Sequence, residues 1–220
     1  MNTQDKSYHH GNLKEALVAG FLELLLELPL EKISLRKLAS HLGVAPTAAY
    51  NHFKKKEELI VAVKQQCLQH FADFLDLHSS DKPNATETIQ ALGQAYFQYS
   101  ILHRSYFSFL MTDNVPEEYV SEALVAASMK AEGSLRSAIK RLLEENNLPA
   151  TQYNEGLGTF ACWSLTHGVT QLAAKHMNHA ACLEGRWPPE FMLSDTEQIH
   201  SSFAALTQII TQGLLVAARP

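Results

Sequence analysis

The side chains best suited to chemistry lie in one short stretch of the chain, residues 46–53, which reads PTAAYNHF. Asn51 can pair bidentately with adenine, and the methyl groups of Thr47 and Ala48 can contact the methyl group of thymine. Short, almost uncharged groups of this kind suit the floor of a DNA major groove. The stretch therefore predicts a segment that reads base edges.

Hydrogen-bond donors around this stretch are candidates for further contacts with DNA, to a base or to the phosphate backbone. Arg36 carries the planar fork that pairs with guanine. The remaining candidates are the predicted phosphate anchors Tyr50, His52 and Lys56, and the second-rank cations Lys37 and Lys55. For Lys54 and Lys55, a solvated charge without DNA contact is an equally good interpretation.

The residues before this stretch predict the helix that must support it. Four apolar residues follow the i, i+3, i+4, i+7 spacing of one helical face: Leu35, Leu38, Ala39 and Leu42. Ser34 stands where an N-cap oxygen would accept from free backbone amides. Gly43 comes next, and a glycine just past a helix end supplies the left-handed conformation that stops the helix.

A second helix is predicted from Pro46, because proline fits the first helical position, to about Phe53. Ala49 and Phe53 form its apolar stripe against the first helix, which leaves the predicted reading residues on the rim or outward. Two short helices crossing at a tight turn predict a helix-turn-helix. An ordinary pair of packed helices is the alternative interpretation of this stretch alone.

The residues that follow the turn favour the helix-turn-helix through a family resemblance. The motif Tyr-x-His-Phe-x-x-Lys runs from Tyr50 to Lys56, and Leu-Arg-x-Leu-Ala and Gly-Val precede it. From about Asn12 to Val63 the chain resembles the DNA-binding domain of TetR/AcrR-family transcriptional repressors. Asn12 and Glu15 also predict a capping pair for the first helix, independently of any resemblance.

Two further segments resemble one branch of that family. Residues 8–13 (YHHGNL) resemble the start of helix 1, and residues 163–168 (WSLTHG) resemble a Trp-His-Gly element of the C-terminal ligand domain. The chain also departs from the family pattern, since Ala49 stands where a larger apolar residue is common and Ala48 and Asn51 replace larger readers. The operator sequence therefore cannot be inferred from the resemblance.

Composition restricts the class of protein. The 220 residues are 46% hydrophobic, which is enough for one core or two unequal ones. The sequence shows no apolar run of the roughly 18 residues that a membrane helix needs, and the N-terminal MNTQDK lacks the apolar segment of a signal peptide. Cys67, Cys162 and Cys182 are odd in number and widely spaced, so we expect buried thiols. We expect a cytoplasmic protein with no membrane partner.

The net charge of −5 conceals an uneven distribution. Residues 1–64 contain 9 Lys and Arg and 7 Asp and Glu, whereas the rest of the chain contains 9 and 16. A mildly basic head on an acidic body attracts phosphates to one end only.

Helical spacing covers the rest of the chain, with no strand pattern, so the predicted fold class is all-α. We predict a helix-turn-helix DNA-binding domain over 1–55 and a helical ligand-binding and dimerisation domain over 56–220. The predicted helices of the body lie between Pro, Gly and Asn turns, at about 56–77, 86–102, 106–111, 117–145 and 151–176. Residues 177–194 are a predicted loop, and Asp195 is the predicted cap of a last helix.

A wide apolar face on the last helix calls for a partner. A twofold dimer reads two half-sites about 34 Å apart, which a monomer cannot do. In the resembled family the last two helices pair with their copies as a four-helix bundle, so the chain is predicted to form a homodimer. The candidate interface residues are Phe203, Leu206, Ile210 and Leu214; for each of them, a place in the protomer's own core is an equally good interpretation.

Aromatic rings and thioethers in the body predict a pocket for a small, largely apolar ligand. The candidate lining residues are Tyr96, Phe97, Phe107, Met111, Met129, Trp163 and His167, although core packing is the stronger default for each. His176, His179 and Cys182 have the helical spacing of metal ligands but no fourth ligand nearby. No metal and no other cofactor is therefore predicted.

These patterns predict a transcriptional regulator that binds double-stranded DNA, in the form of a ligand-responsive homodimeric repressor of a palindromic operator. The alternative is a DNA-binding protein that senses no small molecule and acts through a protein partner or by spreading on DNA. An enzyme is not expected, because the sequence has no nucleophile elbow, no HExxH and no paired carboxylates at a meaningful spacing.

Overall fold

The computed structural model describes residues 12–112, 115–183 and 196–219, with side chains described for 12–112, 115–174 and 197–219. These residues form helices and no strand, which confirms the all-α class. The helices are α1 Leu13–Glu27, α2 Leu35–His41, α3 Pro46–His52, α4 Lys56–Ser79, α5 Ala85–Leu102, α6 Arg104–Met111, α7 Glu122–Glu145, α8 Gln152–Leu183 and α9 Thr196–Ala217.

Two compact units are built from non-contiguous parts of the chain. The first contains Met1–Leu68 and Ser105–Ala127, and the second contains Gln69–Arg104 and Ser128–Pro220. Helices α4 and α7 therefore contribute residues to both. The unit that carries the helix-turn-helix also contains Ser105–Ala127, which were predicted to belong to the helical body. The end of the DNA-binding domain at residue 55 stays a prediction.

The core of the first unit lies where α1 packs against α2 and α3. Phe21, Leu38 and Ala49 are completely buried, so each of the three helices contributes to one apolar centre. Gly20 allows the close approach of α1 and α2, because a Cβ atom at this position would lie 2.9 Å from Cδ2 of Leu42. The helix-turn-helix is thus supported on its inner side by α1.

The second unit is held by α5, α8 and α9, and α7 approaches α8 at Ile139. Its core cluster consists of Phe97, Val169, Ala173, Ile199 and Phe203. A Cβ atom at Gly158 would lie 2.6 Å from Leu214 and 2.7 Å from Ile139, so α8 crosses α7 and α9 closely at this glycine.

Several predicted helix ends were wrong. Residues 117–119 form an isolated turn of 3-10 helix, and α7 begins only at Glu122, where the Ser121 hydroxyl accepts from the Leu124 amide over 3.2 Å. Helix α8 continues to Leu183, through part of the predicted loop. Asn12 precedes α1 but makes no side-chain capping bond. Asp195 lies outside the described residues.

Candidate nucleic-acid interface and ligand site

The turn between α2 and α3 has the geometry that its residue types predict. Ser34 Oγ accepts from the backbone amide of Lys37 over 3.1 Å, so Ser34 caps α2. Gly43 has a φ of +68°, a left-handed conformation in which a side chain would be strained. Pro46 occupies the first turn of α3. These three positions confirm the predicted helix-turn-helix.

Helix α3 presents two different faces. Ala49 and, just past the helix end, Phe53 are buried, as their predicted packing toward α2 requires. The predicted reading residues Thr47 and Asn51 are exposed, together with the predicted anchor His52, and Tyr50 keeps 45% of its surface accessible. The remaining reader, Ala48, is half-buried. The helix therefore offers a polar outer face of the type that a major groove accepts.

The turn from α3 into α4 is fixed by hydrogen bonds that involve its three lysines. The Lys54 backbone amide donates to the Glu58 carboxylate over 2.7 Å, and Lys54 Nζ donates to the Tyr50 carbonyl over 3.1 Å. Lys56 Nζ donates to the carbonyl oxygen of Leu30 over 2.6 Å. Lys56, a predicted phosphate anchor, is thus also a tie between the start of α4 and the connection from α1 to α2.

The environment of Lys56 supports that structural role. The side chain is half-buried, and burial lowers the pKa of its ammonium, while Glu31 and Glu57 act in the opposite direction. An ammonium in such a place needs an acceptor to replace water, and the Leu30 carbonyl supplies one.

The other predicted cations of the first unit are exposed. Arg36 and Lys37 lie on the solvent side of α2, and Lys55 lies in the turn before α4. A contact that sequence reasoning missed joins His41 of α2 to Glu23 of α1 over 2.9 Å. No local spacing could have indicated it, because the two residues are 18 positions apart.

In the second unit, three of the predicted ligand residues lie together. The Tyr96 hydroxyl lies 2.8 Å from Nδ1 of His167, and the Trp163 ring centroid lies 6.5 Å from that of His167. Burial raises the pKa of Tyr96, against a smaller effect of a hydrogen bond with Trp163. The hydroxyl therefore stays protonated, and the tautomer of His167 decides whether it donates to Nδ1 or accepts from it.

The other predicted ligand residues have different surroundings or belong to the first unit. Phe97 fills the core, with its ring centroid 5.9 Å from that of Phe203. Met129 is exposed, whereas Phe107 and Met111 belong to the first unit. Of the predicted pocket residues, Tyr96, Trp163 and His167 are the ones that lie together in the second unit.

The structure shows the environment of two of the three cysteines, but not that of the side chains with the spacing of metal ligands. Cys67 and Cys162 are buried free thiols, as predicted, and burial raises the pKa of each to about 12. The side chains of His176, His179 and Cys182 lie outside the described residues. Among the side chains that the structure describes, no three His, Cys, Asp or Glu residues are grouped as metal ligands.

Two of the four predicted interface residues face the protomer's own interior. Phe203 and Leu214 are buried, whereas Leu206 and Ile210 are half-buried. Other large apolar side chains of the last two helices are exposed: Tyr153, Leu157, Phe160, Trp163 and Leu172 on α8, and Ile209 and Val216 on α9. We call these seven residues the α8–α9 apolar surface.

Helix α9 is apolar on more than one side. Residues Glu197–Ala217 are long and apolar enough, by length and composition alone, to cross a membrane, with a mean hydropathy of 1.2. Its burial pattern gives a different reason for this composition. Ile199, Phe203 and Leu214 enter the core of the second unit, and Ile209 and Val216 lie on the α8–α9 apolar surface.

A helix-turn-helix with an exposed polar second helix, attached to a helical body, defines the class of DNA-binding transcriptional regulators. Residues 14–63 match the sequence profile described as bacterial regulatory proteins, tetR family. Residues 14–63 are therefore similar to the DNA-binding domain of tetR-family regulatory proteins. A match to the DNA-binding domain of regulatory proteins agrees with the prediction that the chain is not an enzyme.

Solved structures share this fold at low sequence identity. A protein of unknown function from Rhodococcus sp. RHA1 has a TM-score of 0.74 and 20% identity, over 98% of this chain and 100% of that one. A bacterial regulatory protein in the tetR family from Rhodococcus RHA1 has a TM-score of 0.63 and 16% identity, over 90% and 96%. The fatty acid degradation regulator FadR from Bacillus halodurans has a TM-score of 0.59 and 14% identity, over 94% and 96%. No curated protein matches the chain.

Proposed function

We propose that this regulator is a ligand-responsive homodimeric repressor that binds a palindromic operator. The observation that carries the proposal is the two-faced α3, in which Ala49 is buried while Thr47 and Asn51 are exposed. Thr47, Ala48 and Asn51 read bases, and Arg36 reads guanine from α2. Tyr50, His52, Lys37, Lys55 and Lys56 hold phosphates, and in Lys56 this role is combined with the bond to Leu30.

Dimerisation is proposed on the α8–α9 apolar surface. Seven large apolar side chains on two neighbouring helices are exposed in the protomer, and burying them against a second copy would be favourable. A second copy covers the same residues of its partner in a twofold arrangement. We therefore move the interface from Phe203 and Leu214 to this surface, with half-buried Leu206 and Ile210 at its edge.

A small, largely apolar effector is proposed to bind beside Tyr96, Trp163 and His167. Trp163 and His167 offer ring surface together with polar tips, the combination that fixes the orientation of an apolar ligand. A solved structure of the same fold carries the name of a fatty acid degradation regulator, which makes fatty acids and their derivatives the first compounds to examine. Trp163 also belongs to the α8–α9 apolar surface, so effector binding and dimer packing share a residue.

The proposed coupling passes from Tyr96 to α4. The ring of Tyr96 packs edge-on against Phe71 of α4, with centroids 5.4 Å apart, and Phe71 also packs against Tyr99 over 4.9 Å. Helix α4 contributes residues to both units. An effector that prefers one position of α4 shifts the population toward it and so changes the spacing of the two reading helices.

The test asks whether the purified protein retains a bound compound and whether added compounds release it from DNA. Protein purified without added ligand is examined by native mass spectrometry for a bound compound, and candidate fatty acids are then titrated while DNA binding is followed by fluorescence anisotropy. We expect a coupling of about 1–3 kcal/mol between ligand and DNA. The Trp163→Ala variant should lose ligand affinity, and if it keeps full affinity and full release, the ligand site lies elsewhere. If no compound changes the anisotropy, the non-sensing alternative replaces the ligand-responsive one.

A further inference from the structure

The stretch from α6 to the start of α7 contacts the DNA-binding part of the chain directly. Residues Ser105–Ala127 share the first unit with the helix-turn-helix. Phe109 of α6 packs edge-on against Phe21 of α1, with ring centroids 6.0 Å apart. Lys64 of α4 donates to the carbonyl oxygen of Thr112 over 2.9 Å. These contacts anchor the stretch on two helices of the first unit.

A third contact reaches the flank of the reading helix. Nζ of Lys55, in the turn between α3 and α4, lies 5.9 Å from the ring centroid of Tyr119. A hydrogen bond with Tyr119 is the main cause that raises the pKa of Lys55, ahead of weaker attraction by Glu57 and Glu118. Tyr119 is itself held in a 3-10 turn, where its amide donates to the Pro116 carbonyl over 2.9 Å.

This contact orders an exposed lysine without covering it. Lys55 remains exposed, so its ammonium keeps N–H donors for another acceptor while one side faces the Tyr119 ring. A free lysine loses rotamer freedom when it binds a phosphate, and a side chain that is already held in place loses less. The contact therefore prepares Lys55 for a phosphate at the edge of α3.

We propose that Tyr119 is a positioning residue for DNA binding, which orders the Lys55 ammonium for contact with a backbone phosphate. The proposal rests on the phosphate role of Lys55 within the proposed function. It assigns a DNA-binding contribution to a residue of the α6–α7 connection, more than sixty positions beyond Lys55 in the sequence. A change in that connection would then alter DNA affinity through Lys55 as well as through α4.

The test is a double-variant cycle on a DNA duplex that the wild-type protein selects from a random-sequence pool. Lys55→Ala should lower affinity and reduce the slope of log affinity against log salt by about 0.9, the value for one lost phosphate contact. Tyr119→Ala should lower affinity by about two- to five-fold, the usual effect of an exposed cation–aromatic contact, with the salt slope unchanged. In the Lys55→Ala background, Tyr119→Ala should have no further effect.

The neighbouring Val120→Ala is the matched control, because Val120 is an exposed side chain on the same connection and should leave affinity unchanged. Thermal unfolding shows that each variant is folded. If Tyr119→Ala lowers affinity equally with and without Lys55, Tyr119 acts on the fold and not on the Lys55 ammonium. If Tyr119→Ala raises affinity, Tyr119 keeps the Lys55 ammonium away from the phosphate. Either result overturns the proposal. If Lys55→Ala changes neither affinity nor slope, the inference fails while the helix-turn-helix stands. If the wild-type protein selects no duplex, the proposed function itself fails.

Discussion

The ammonium of Lys56 donates to the carbonyl oxygen of Leu30 over 2.6 Å, and this bond ties the first turn of α4 to the connection between α1 and α2. The family resemblance places Lys56 in the motif that follows the reading helix. Its position in the structure gives this lysine a second role, because the bond holds the start of α4 against the residues that connect α1 and α2. Loss of Lys56 should therefore affect folding as well as DNA binding.

Lys56→Met should lower the free energy of unfolding by about 1 kcal/mol, since it removes a charge-assisted hydrogen bond from a partly exposed site. Lys54→Met is the matched control: Lys54 is exposed, and its own bond to Tyr50 spans only one helical turn, so its stability should change by less than about 0.5 kcal/mol. Urea denaturation measures both variants. If Lys56→Met is as stable as the wild-type protein, Lys56 has no structural role.

Asn51→Ala should relax base preference at one position of the bound DNA, with a loss of about 1–3 kcal/mol of discrimination there, because the bidentate contact to adenine is gone. Gln66→Ala removes a comparable exposed amide from α4 and should leave the preference unchanged. Anisotropy with a set of single-substitution duplexes measures the preference. A uniform loss on all duplexes would make Asn51 a backbone contact instead of a base reader.

Phe160→Glu and Ile209→Glu should each give folded monomers with greatly weakened operator binding, since a charge would be buried without a partner in the proposed interface. The two residues are 64% and 67% exposed in the protomer, so neither change should disturb its core. Leu77→Glu, on an equally exposed apolar residue of α4, is the control and should stay dimeric. Sedimentation velocity gives the oligomeric state, and a dimeric Ile209→Glu protein with normal DNA affinity would place the interface elsewhere.

The histidine pair in the second unit should make stability depend on pH. The His103 ring lies 4.8 Å from that of His70, and burial, followed by the charge of His70, lowers the pKa of His103. In the unfolded chain the pKa of His103 is about 6.5. At pH values between this pKa and the lower pKa of the folded chain, the unfolded chain binds more protons than the folded one. Stability should therefore fall as the pH drops through this window and recover above it.

His103→Gln should reduce that pH dependence, because the residue that takes up the proton on unfolding is absent. Urea midpoints measured from about pH 5 to pH 8 give the comparison. A variant whose midpoints fall with acidification as steeply as those of the wild type would assign the effect to other groups.

The helix-turn-helix could be predicted because its determinants are local. Ser34 caps α2, Gly43 adopts a positive φ and Pro46 opens α3, each for reasons contained in a few neighbouring residues. The outward direction of Asn51 follows from the same spacing, since Ala49 must be buried.

Contacts between distant residues could not be predicted in this way. The bonds of Lys56 to Leu30 and of His167 to Tyr96 join residues 26 and 71 positions apart. Which side of α9 meets a partner stays a prediction, because the helix is apolar on two sides and spacing alone does not show which side meets the core. Phe203 packs inward against Phe97, whereas Ile209 stays exposed.

Selection of DNA from a random-sequence pool, followed by determination of the number of bound protomers, tests the central claim most directly. The account predicts an enriched inverted repeat with half-sites about 34 Å apart, bound by two protomers, and loss of enrichment with the Ile209→Glu protein. A single unrepeated motif bound by one protomer, or no enrichment at all, would contradict it.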